Sequence, residues 1–384
     1  MRSKINVGLI GYKFMGKAHS NAYLSVSKFF STKLEPVMKV VCGRDAKAVQ
    51  DFQKQWGWQE YSVNWREVVS RDDIEIVDIS TPNNSHCEIA VAAALSGKHI
   101  ICEKPLAMNV SEAKKMVNAV KKAKVVNMIC HNYRRVPALS LAKEMIDAGE
   151  IGKIYHYRSF YLQDWITDPQ FPLVWRLRKA QAGSGAHGDL NAHIIDLAHY
   201  LVGDISEVVG MMETFIKQRP LPKDMSGLSA RGSRKLGKVT VDDAVLALAR
   251  FKNGALGSFE ATRFALGRKN GQRIEINGSK GSIVFELERM NELQFYKGSD
   301  QIGRHGFRLI QVTEPQHPYI HGYWPAGHII GYEHSFINTI KDFLDAIASG
   351  RKVIKPDFED GLKVQKVLEA VEKSARTKRW IRIR

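Results

Sequence analysis

An α/β domain with a doubly wound parallel sheet, followed by an α+β domain with a large antiparallel sheet, is the architecture this 384-residue sequence predicts. Three observations carry it. Apolar strand-like runs alternate with helix-period segments at short spacing through the first third of the chain. From about His131 that alternation gives way to long segments of period two. Turns of hairpin chemistry, "KNGA" (252–255) and "NGSKGS" (277–282), then join consecutive strands. The two domains are accordingly placed at 1–131 and 132–384.

The elements follow in order. "KINVGLIG" reads as a buried strand and residues 15–28 as a helix; "VMKVVCG" is a second strand, with a helix near 45–56. "IEIVDIS" (74–80) is a third strand, and "HCEIAVAAALSG" a helix closed by Gly97. "KHIIC" is a short strand, a further helix starts at Ser111–Glu112, and "VVNMIC" is another strand. The second domain opens with a helix near 136–149. Strands are then expected at 154–164, 205–216, 241–251, 255–263, 272–277 and 281–287. Residues 217–239, rich in Pro, Gly, Ser and Lys, read as a mobile surface loop, and 299–331 as a long loop bearing aromatics. Helices near 332–349 and 359–375 close the chain.

A hydrophobic fraction of 44% and a charged fraction of 25% are those of an ordinary globular protein. No apolar run approaches the roughly 20 residues that cross a bilayer, and Lys4 and Asn6 interrupt any secretory core at the N-terminus. Cys42, Cys87, Cys102 and Cys130 stand far apart, which predicts buried thiols in a reducing, cytoplasmic compartment. The net charge of +17 comes from dispersed basic residues without interleaved stacking aromatics. It therefore points to attraction of anionic small ligands, with no nucleic-acid partner.

The stretch "GYKFMG" between the first strand and helix matches G-x-G-x-x-G with Lys13 at the middle glycine. Gly11 supplies the tight turn and Gly16 the close strand–helix packing. Lys13 forgoes the close backbone approach but brings an ammonium to a helix N-terminus that already favours anions. Phe14 and Met15 complete a dinucleotide-binding turn of the Rossmann type. An acidic residue at the end of the second strand would select NAD; here Gly43 is followed by Arg44 and Asp45. Arg44 suits a 2′-phosphate, which leans the reading to NADP, while Asp45 is alternatively an N-cap.

Five further segments, "STPNNSH" (80–86), "CEKPLA" (102–107), "YLQDW" (161–165), "NYRRVPAL" (132–139) and "GSGAHGDLNAHIIDLAHYLVG" (183–203), complete the pattern. Together with "KFMGKAHS" they resemble the glucose–fructose oxidoreductase / inositol dehydrogenase (Gfo/Idh/MocA) family across nearly the whole chain. "YLQDW" and "WRLRKAQAGSGAHGD" look most like its levoglucosan dehydrogenases and related enzymes that oxidise a glucoside at C3, which by resemblance use NAD. The likeness implies a Rossmann domain paired with an open antiparallel sheet, through whose outer face many members assemble as homo-oligomers.

It also implies an oxidoreductase that moves a hydride between a secondary hydroxyl of a glucoside, anhydrosugar or polyol and NAD or NADP. Lys104, at the C-terminal end of a strand with Glu103 before it, would act as acid/base or hydrogen-bond the reacting oxygen. Asp189, His193, Asp196 and Tyr200 share one helical stripe beside the apolar stripe Leu190, Ile194, Leu197 and Leu201. His193 is the natural base for a hydroxyl proton, and Asp189 holds the hydroxyl or orients the imidazole. His187, Asp189 and His193 lack the spacing of a metal site, so no metal is expected. Thr81, Asn83, His86, Glu103, Lys104 and Arg134 join the cofactor set, His86 also opening the next helix. Tyr133, Tyr161, Gln163, Trp165 and Trp175 are candidates for the sugar pocket, where aromatic faces meet C–H surfaces and amides meet hydroxyls. Two rival readings are a glycosidase-type enzyme with a transient internal redox step, and a non-catalytic sugar or nucleotide sensor on the same scaffold.

Overall fold

The computed structural model describes residues 2–223, 232–350 and 353–384. Its first sheet is built from β1 (Ser3–Ile10), β2 (Leu34–Cys42), β3 (Glu60–Ser62), β4 (Ile76–Ile79), β5 (His99–Cys102) and β6 (Asn127–Ile129). All neighbours are parallel, in the order β3-β2-β1-β4-β5-β6. The order reverses between β1 and β4, the point at which doubly wound sheets open a ligand crevice beyond their carboxyl ends. The connecting helices are α1 (Phe14–Phe29), α2 (Ala46–Trp56), the short α3 (Trp65–Ser70), α4 (His86–Leu95) and α5 (Val110–Ala123). β4 is buried at every position, as a strand covered on both faces must be. Asp45 caps α2 by accepting from the Ala48 N–H at 3.0 Å. α5 is capped by Asn109, just upstream of the expected Ser111, through the Glu112 N–H at 2.9 Å.

The second sheet is led by α6 (Pro137–Asp147), β7 (Ile154–Leu162), the short α7 (Lys179–Ala182) and α8 (Ala192–Leu201). It continues through β8 (Ile205–Glu213), then β11 (Ala244–Phe251), β12 (Leu256–Thr262), β13 (Gly271–Gly278), β14 (Gly281–Glu286), β15 (Glu292–Lys297) and β16 (Arg308–Gln311). With the terminal β17 (Ile381–Arg382) it forms a nine-stranded sheet in the order β16-β15-β14-β13-β7-β12-β11-β8-β17. Every pairing is antiparallel except β7 with β12, which makes the sheet mixed where a purely antiparallel one was expected. α8 packs on its inner face, where the Tyr157 hydroxyl donates to the Ile194 carbonyl at 2.7 Å. Leu246 and Leu248 alternate outward along β11 and stay exposed.

The expected loop at 217–239 contains a separate two-stranded ribbon, β9 (Gln218–Pro222) against β10 (Gly232–Lys238); residues 224–231 of that reading lie outside the described residues. Arg219 explains the order. Its side chain is buried and donates to the carbonyls of Ile166, Asp168 and Phe171, fastening the segment after β7.

Two closing helices, α9 (Tyr332–Ala348) and α10 (Phe358–Thr377), correct the domain boundary. The chain divides into one compact unit of Met1–Arg135 with Gly331–Gln365 and another of Val136–Ile330 with Lys366–Arg384. α9 returns to the first unit because its buried polar face answers the 132–135 segment. The Asn132 amide donates to Ser335 at 2.8 Å, Arg135 Nε to Asp342 at 2.8 Å, and the Asn338 amide to the Arg135 carbonyl at 3.0 Å.

Replacing Asp45 by alanine is expected to cost about 1 kcal/mol of stability, read as a lower urea midpoint, because it removes a helix cap. The preference between NAD and NADP should stay unchanged in the same variant.

Candidate active site

The turn that opens the first unit is shaped by steric limits. Gly11 has φ of +107°, and a Cβ there would stand 2.4 Å from the Ser80 carbonyl oxygen. A Cβ on Gly16 would lie 2.4 Å from the Gly11 oxygen. Strand, turn and helix therefore approach as closely as the glycine roles require. Lys13 occupies the N-cap of α1, where its side chain has no acceptor to offer, and the first turn holds no acidic residue. The amides of this helix start suit an anion, so the residues present fit the pyrophosphate of a dinucleotide. Phe14 is exposed beside them and Met15 half-buried.

Gly43 has a second explanation. A Cβ at this position would meet the Tyr12 ring at 2.2 Å, so the space of an acidic ribose ligand is held by an aromatic ring. Arg44 is exposed, and the Asp45 carboxylate is engaged as the α2 cap.

Ser85 donates its hydroxyl to Thr81 Oγ1 at 2.7 Å, closing the turn after β4 in which Asn83 starts a short 3₁₀ segment. His86 is corrected as a cofactor ligand. It is fully buried, with Nδ1 3.0 Å from the Pro105 carbonyl and Nε2 3.0 Å from that of Thr81. Both nitrogens are spent bracing the turn against the segment that carries Lys104. Two carbonyls favour a charged ring, yet burial is the larger effect and lowers its pKa.

Lys104 is half-buried just beyond β5, and its peptide bond to Pro105 is cis. Its backbone N–H donates to Glu103 Oε2 at 3.1 Å. Glu103, expected in the cofactor set, is corrected like His86: it is buried and its other oxygen faces His19 rather than solvent. Tyr133 is buried edge-on against Tyr332, with centroids 6.4 Å apart, and the Arg134 guanidinium lies 3.8 Å from Asp360.

The second unit gathers the remaining candidates around α8. The chain enters it through one turn of π-helix, His187–Asn191, a local widening common at functional sites. Asp242 sets that entry by accepting the N–H groups of Gly185 and His187, each at 2.7 Å. His187 is committed to structure: Nε2 meets the Leu368 carbonyl and Nδ1 the Asn191 amide, both at 3.0 Å. Asp189 is half-exposed and receives Arg263 Nη2 at 2.6 Å, while the Arg263 side chain is buried. Arg176 belongs to the same charge group; burial lowers its pKa, with Asp189 opposing and Arg263 adding to the shift. His193 keeps 6% of its surface exposed and lies with its ring 5.9 Å from that of Tyr161. Asp196 is buried as well, so the polar stripe is not a border throughout; only Asp189 and Tyr200 reach its edge.

Three sugar-pocket candidates prove to be linked. Trp165 Nε1 donates to Gln163 at 2.9 Å, and Gln163 and the Tyr161 hydroxyl both donate to Asn270 Oδ1 at 2.8 Å. Trp165 is also packed, edge-on to Phe171 at 5.3 Å and beneath the Arg263 guanidinium at 5.2 Å. Trp175 is half-buried under the Arg176 guanidinium at 4.5 Å. Arg263, Asn270 and Arg176 escaped sequence reasoning. The only signals were an arginine closing the strand "SFEAT" and an asparagine opening another.

Residues 5–131 match the family model of the oxidoreductase family with an NAD-binding Rossmann fold, and residues 139–284 the Gfo/Idh/MocA C-terminal domain. The chain is 47% identical over 382 residues to the levoglucosan dehydrogenase of Pseudarthrobacter phenanthrenivorans, covering 98% of this chain and 97% of that one. The chain belongs to the Gfo/Idh/MocA oxidoreductase family. Among solved structures, an oxidoreductase domain protein from Kribbella flavida is 50% identical with a TM-score of 0.95, each chain covered completely. A levoglucosan dehydrogenase in complex with NADH and levoglucosan is 46% identical with a TM-score of 0.94, again over 100% of both chains. This Gfo/Idh/MocA member is thus an enzyme with an NAD-binding Rossmann domain. Among the described residues no helix is long and apolar enough to cross a membrane.

Replacing Arg263 by methionine removes the guanidinium that donates to Asp189. The expected loss is about 2–3 kcal/mol, moderated by the water that reaches Asp189, and thermal or urea unfolding reads it. An unchanged midpoint would show that the pair does not contribute to stability.

Proposed function

We propose that this protein is an NAD-dependent dehydrogenase of a secondary hydroxyl on a sugar or polyol, at C3 of a glucoside-like or anhydrosugar ring. The observation that carries this reading is near-full-length similarity to a levoglucosan dehydrogenase solved with NADH and levoglucosan. His193 takes the hydroxyl proton. Lys104 donates to the oxygen as it gains carbonyl character, and Asp189 accepts from the substrate hydroxyl or orients the His193 imidazole. When bound, the nicotinamide supplies the hydride acceptor. Trp165 and Trp175 offer faces to the C–H side of the ring, and the Tyr161–Gln163–Asn270 chain offers fixed polar groups to its hydroxyls. Tyr133 and Arg134 complete the substrate and cofactor sets, with Gly11, Lys13, Gly16, Thr81 and Asn83 on the dinucleotide.

NAD is proposed over NADP. The NADH complexes of the relatives support it, against the phosphate role open to Arg44. The four cysteines are free and three of them buried, which supports residence in a reducing compartment.

Purified protein mixed with levoglucosan, alkyl and aryl glucosides, glucose and myo-inositol, each with NAD or NADP, is expected to form reduced nicotinamide with NAD and an anhydrosugar or glucoside. His193→Ala and Lys104→Ala should each lower kcat by about 10²–10⁴-fold. A protein that binds NAD yet reduces none with any sugar would favour the internal redox cycle or the sensor.

We also propose a homo-oligomer formed through the outer face of the nine-stranded sheet, where Met211, Leu246, Leu248 and Leu256 are exposed together. Light scattering should give a multiple of the 43.3 kDa chain. The double change Leu246→Asp and Leu248→Asp should reduce it to that mass. A wild-type protein of monomer mass would refute the assembly.

A further inference from the structure

Behind the Lys104 segment lies a buried charged group that the reaction proposed above does not use. His19, on α1 three residues past Gly16, has 1% exposure; Asp78 on β4 has none and Glu103 has 4%. His19 Nδ1 is 2.7 Å from Asp78 Oδ2, and its Nε2 is 3.0 Å from Glu103 Oε1. Cys130 Sγ, just after β6, lies 3.6 Å from the same Nε2. Asp78 is further oriented by the Tyr23 hydroxyl at 2.9 Å and that of Ser80 at 3.1 Å. The other oxygen of Glu103 receives the Lys104 backbone N–H at 3.1 Å.

The chemistry of the ring decides its state. Ionised carboxylates only accept, and a neutral imidazole has one N–H to give. A ring that satisfies two carboxylates must donate from both nitrogens. Burial lowers the His19 pKa, but the Asp78 carboxylate and Cys130 raise it further, leaving it well above its ordinary value. Glu103 lies below the usual carboxylate range although burial pushes it up, because His19 and Lys104 favour its charged form.

We infer that His19 is a positioning residue for Lys104, donating to Asp78 and Glu103 at once and so fixing the carboxylate that holds the Lys104 backbone. The inference rests on the reading of Lys104 as a group at the reacting hydroxyl. It makes the helix that opens at the dinucleotide turn part of the support of the lysine. His19, Glu103 and Cys130 place one ligand atom each within 4.8 Å of one another, a spacing open to a metal ion. Both His19 nitrogens are already matched to carboxylates, and a stoichiometric transition metal in the purified protein would overturn the assignment.

The test uses full-length His19→Gln and the near-isosteric Glu103→Gln, beside Lys104→Ala, on the sugar that wild type oxidises. In both positioning variants kcat should fall about tenfold or more, since small misplacements of a reacting group are costly. The primary deuterium isotope effect should grow as chemistry becomes limiting, while NADH affinity, read by fluorescence, stays within about twofold. Exchange of the Lys104 amide should be at least about tenfold faster in His19→Gln than in wild type, a readout that needs no turnover. Folded Glu103→Gln with wild-type kcat, or a kcat loss with an unchanged isotope effect and a parallel loss of NADH affinity, overturns the inference. Full activity in Lys104→Ala would instead overturn the role given to Lys104 itself.

Discussion

The second unit depends on the place where Asp242 meets the entry to α8. Its carboxylate receives the Gly185 and His187 N–H groups at 2.7 Å, and its carbonyl the Ala186 N–H at 3.3 Å. A Cβ on Gly185 would lie 1.8 Å from that carbonyl oxygen, so no side chain is compatible with this approach. The glycine serves that close approach. Because Asp242 stands two residues before β11, the sheet dictates the register in which the chain enters the π turn. Asp189 then falls within 2.6 Å of Arg263, and His193 comes against the Tyr161 ring. The Tyr157 hydroxyl on the Ile194 carbonyl holds the following turn. Substituents at one backbone contact thus orient the two side chains assigned to proton handling.

Much of the first unit was legible because its determinants are local. The glycines of the dinucleotide turn, the cap at Asp45 and the period of the buried strands each act within a few residues. The position of Lys104 just after a strand of the doubly wound sheet was legible, and the structure has it half-buried beyond β5. What escaped was set by partners distant along the chain. Arg263 is 74 residues from Asp189, and Asn270 is 109 from Tyr161. His86 read as a cofactor neighbour because its position in the sequence is right; only its two carbonyl contacts show that the ring is turned inward.

Composition misled where tertiary contacts overrode it. Pro220 and Pro222 belong to a two-stranded ribbon with no inner neighbours, where proline is tolerated, and the adjacent Arg219 is buried against three carbonyls. A segment that reads as solvent-facing thereby fastens the loop that carries Trp165. α9 was recognisable as a helix by its period, yet period identifies a buried face without saying what it is buried against. The polar members of that face, Ser335 and Asn338, select the 132–135 segment by hydrogen bonding, and this moves the helix to the first unit.

Two groups of charges beside the assigned residues are compensated: half-exposed Asp189 with Arg263 and Arg176, and buried Asp78 and Glu103 with His19. Such groups add little to stability when compared with well-packed apolar side chains, since desolvation offsets most of the attraction. Their effect is directional. A carboxylate that accepts from a guanidinium or imidazole has few orientations left, and breaking one contact exposes the full cost of the charge that remains. In each unit the group lies next to a residue assigned to the reacting hydroxyl or includes it. Asp189 is itself a member of one, and Lys104 follows Glu103 in the other. Orientation is therefore fixed most tightly beside the residues to which we assign the chemistry, while the outer face of the sheet carries exposed leucines.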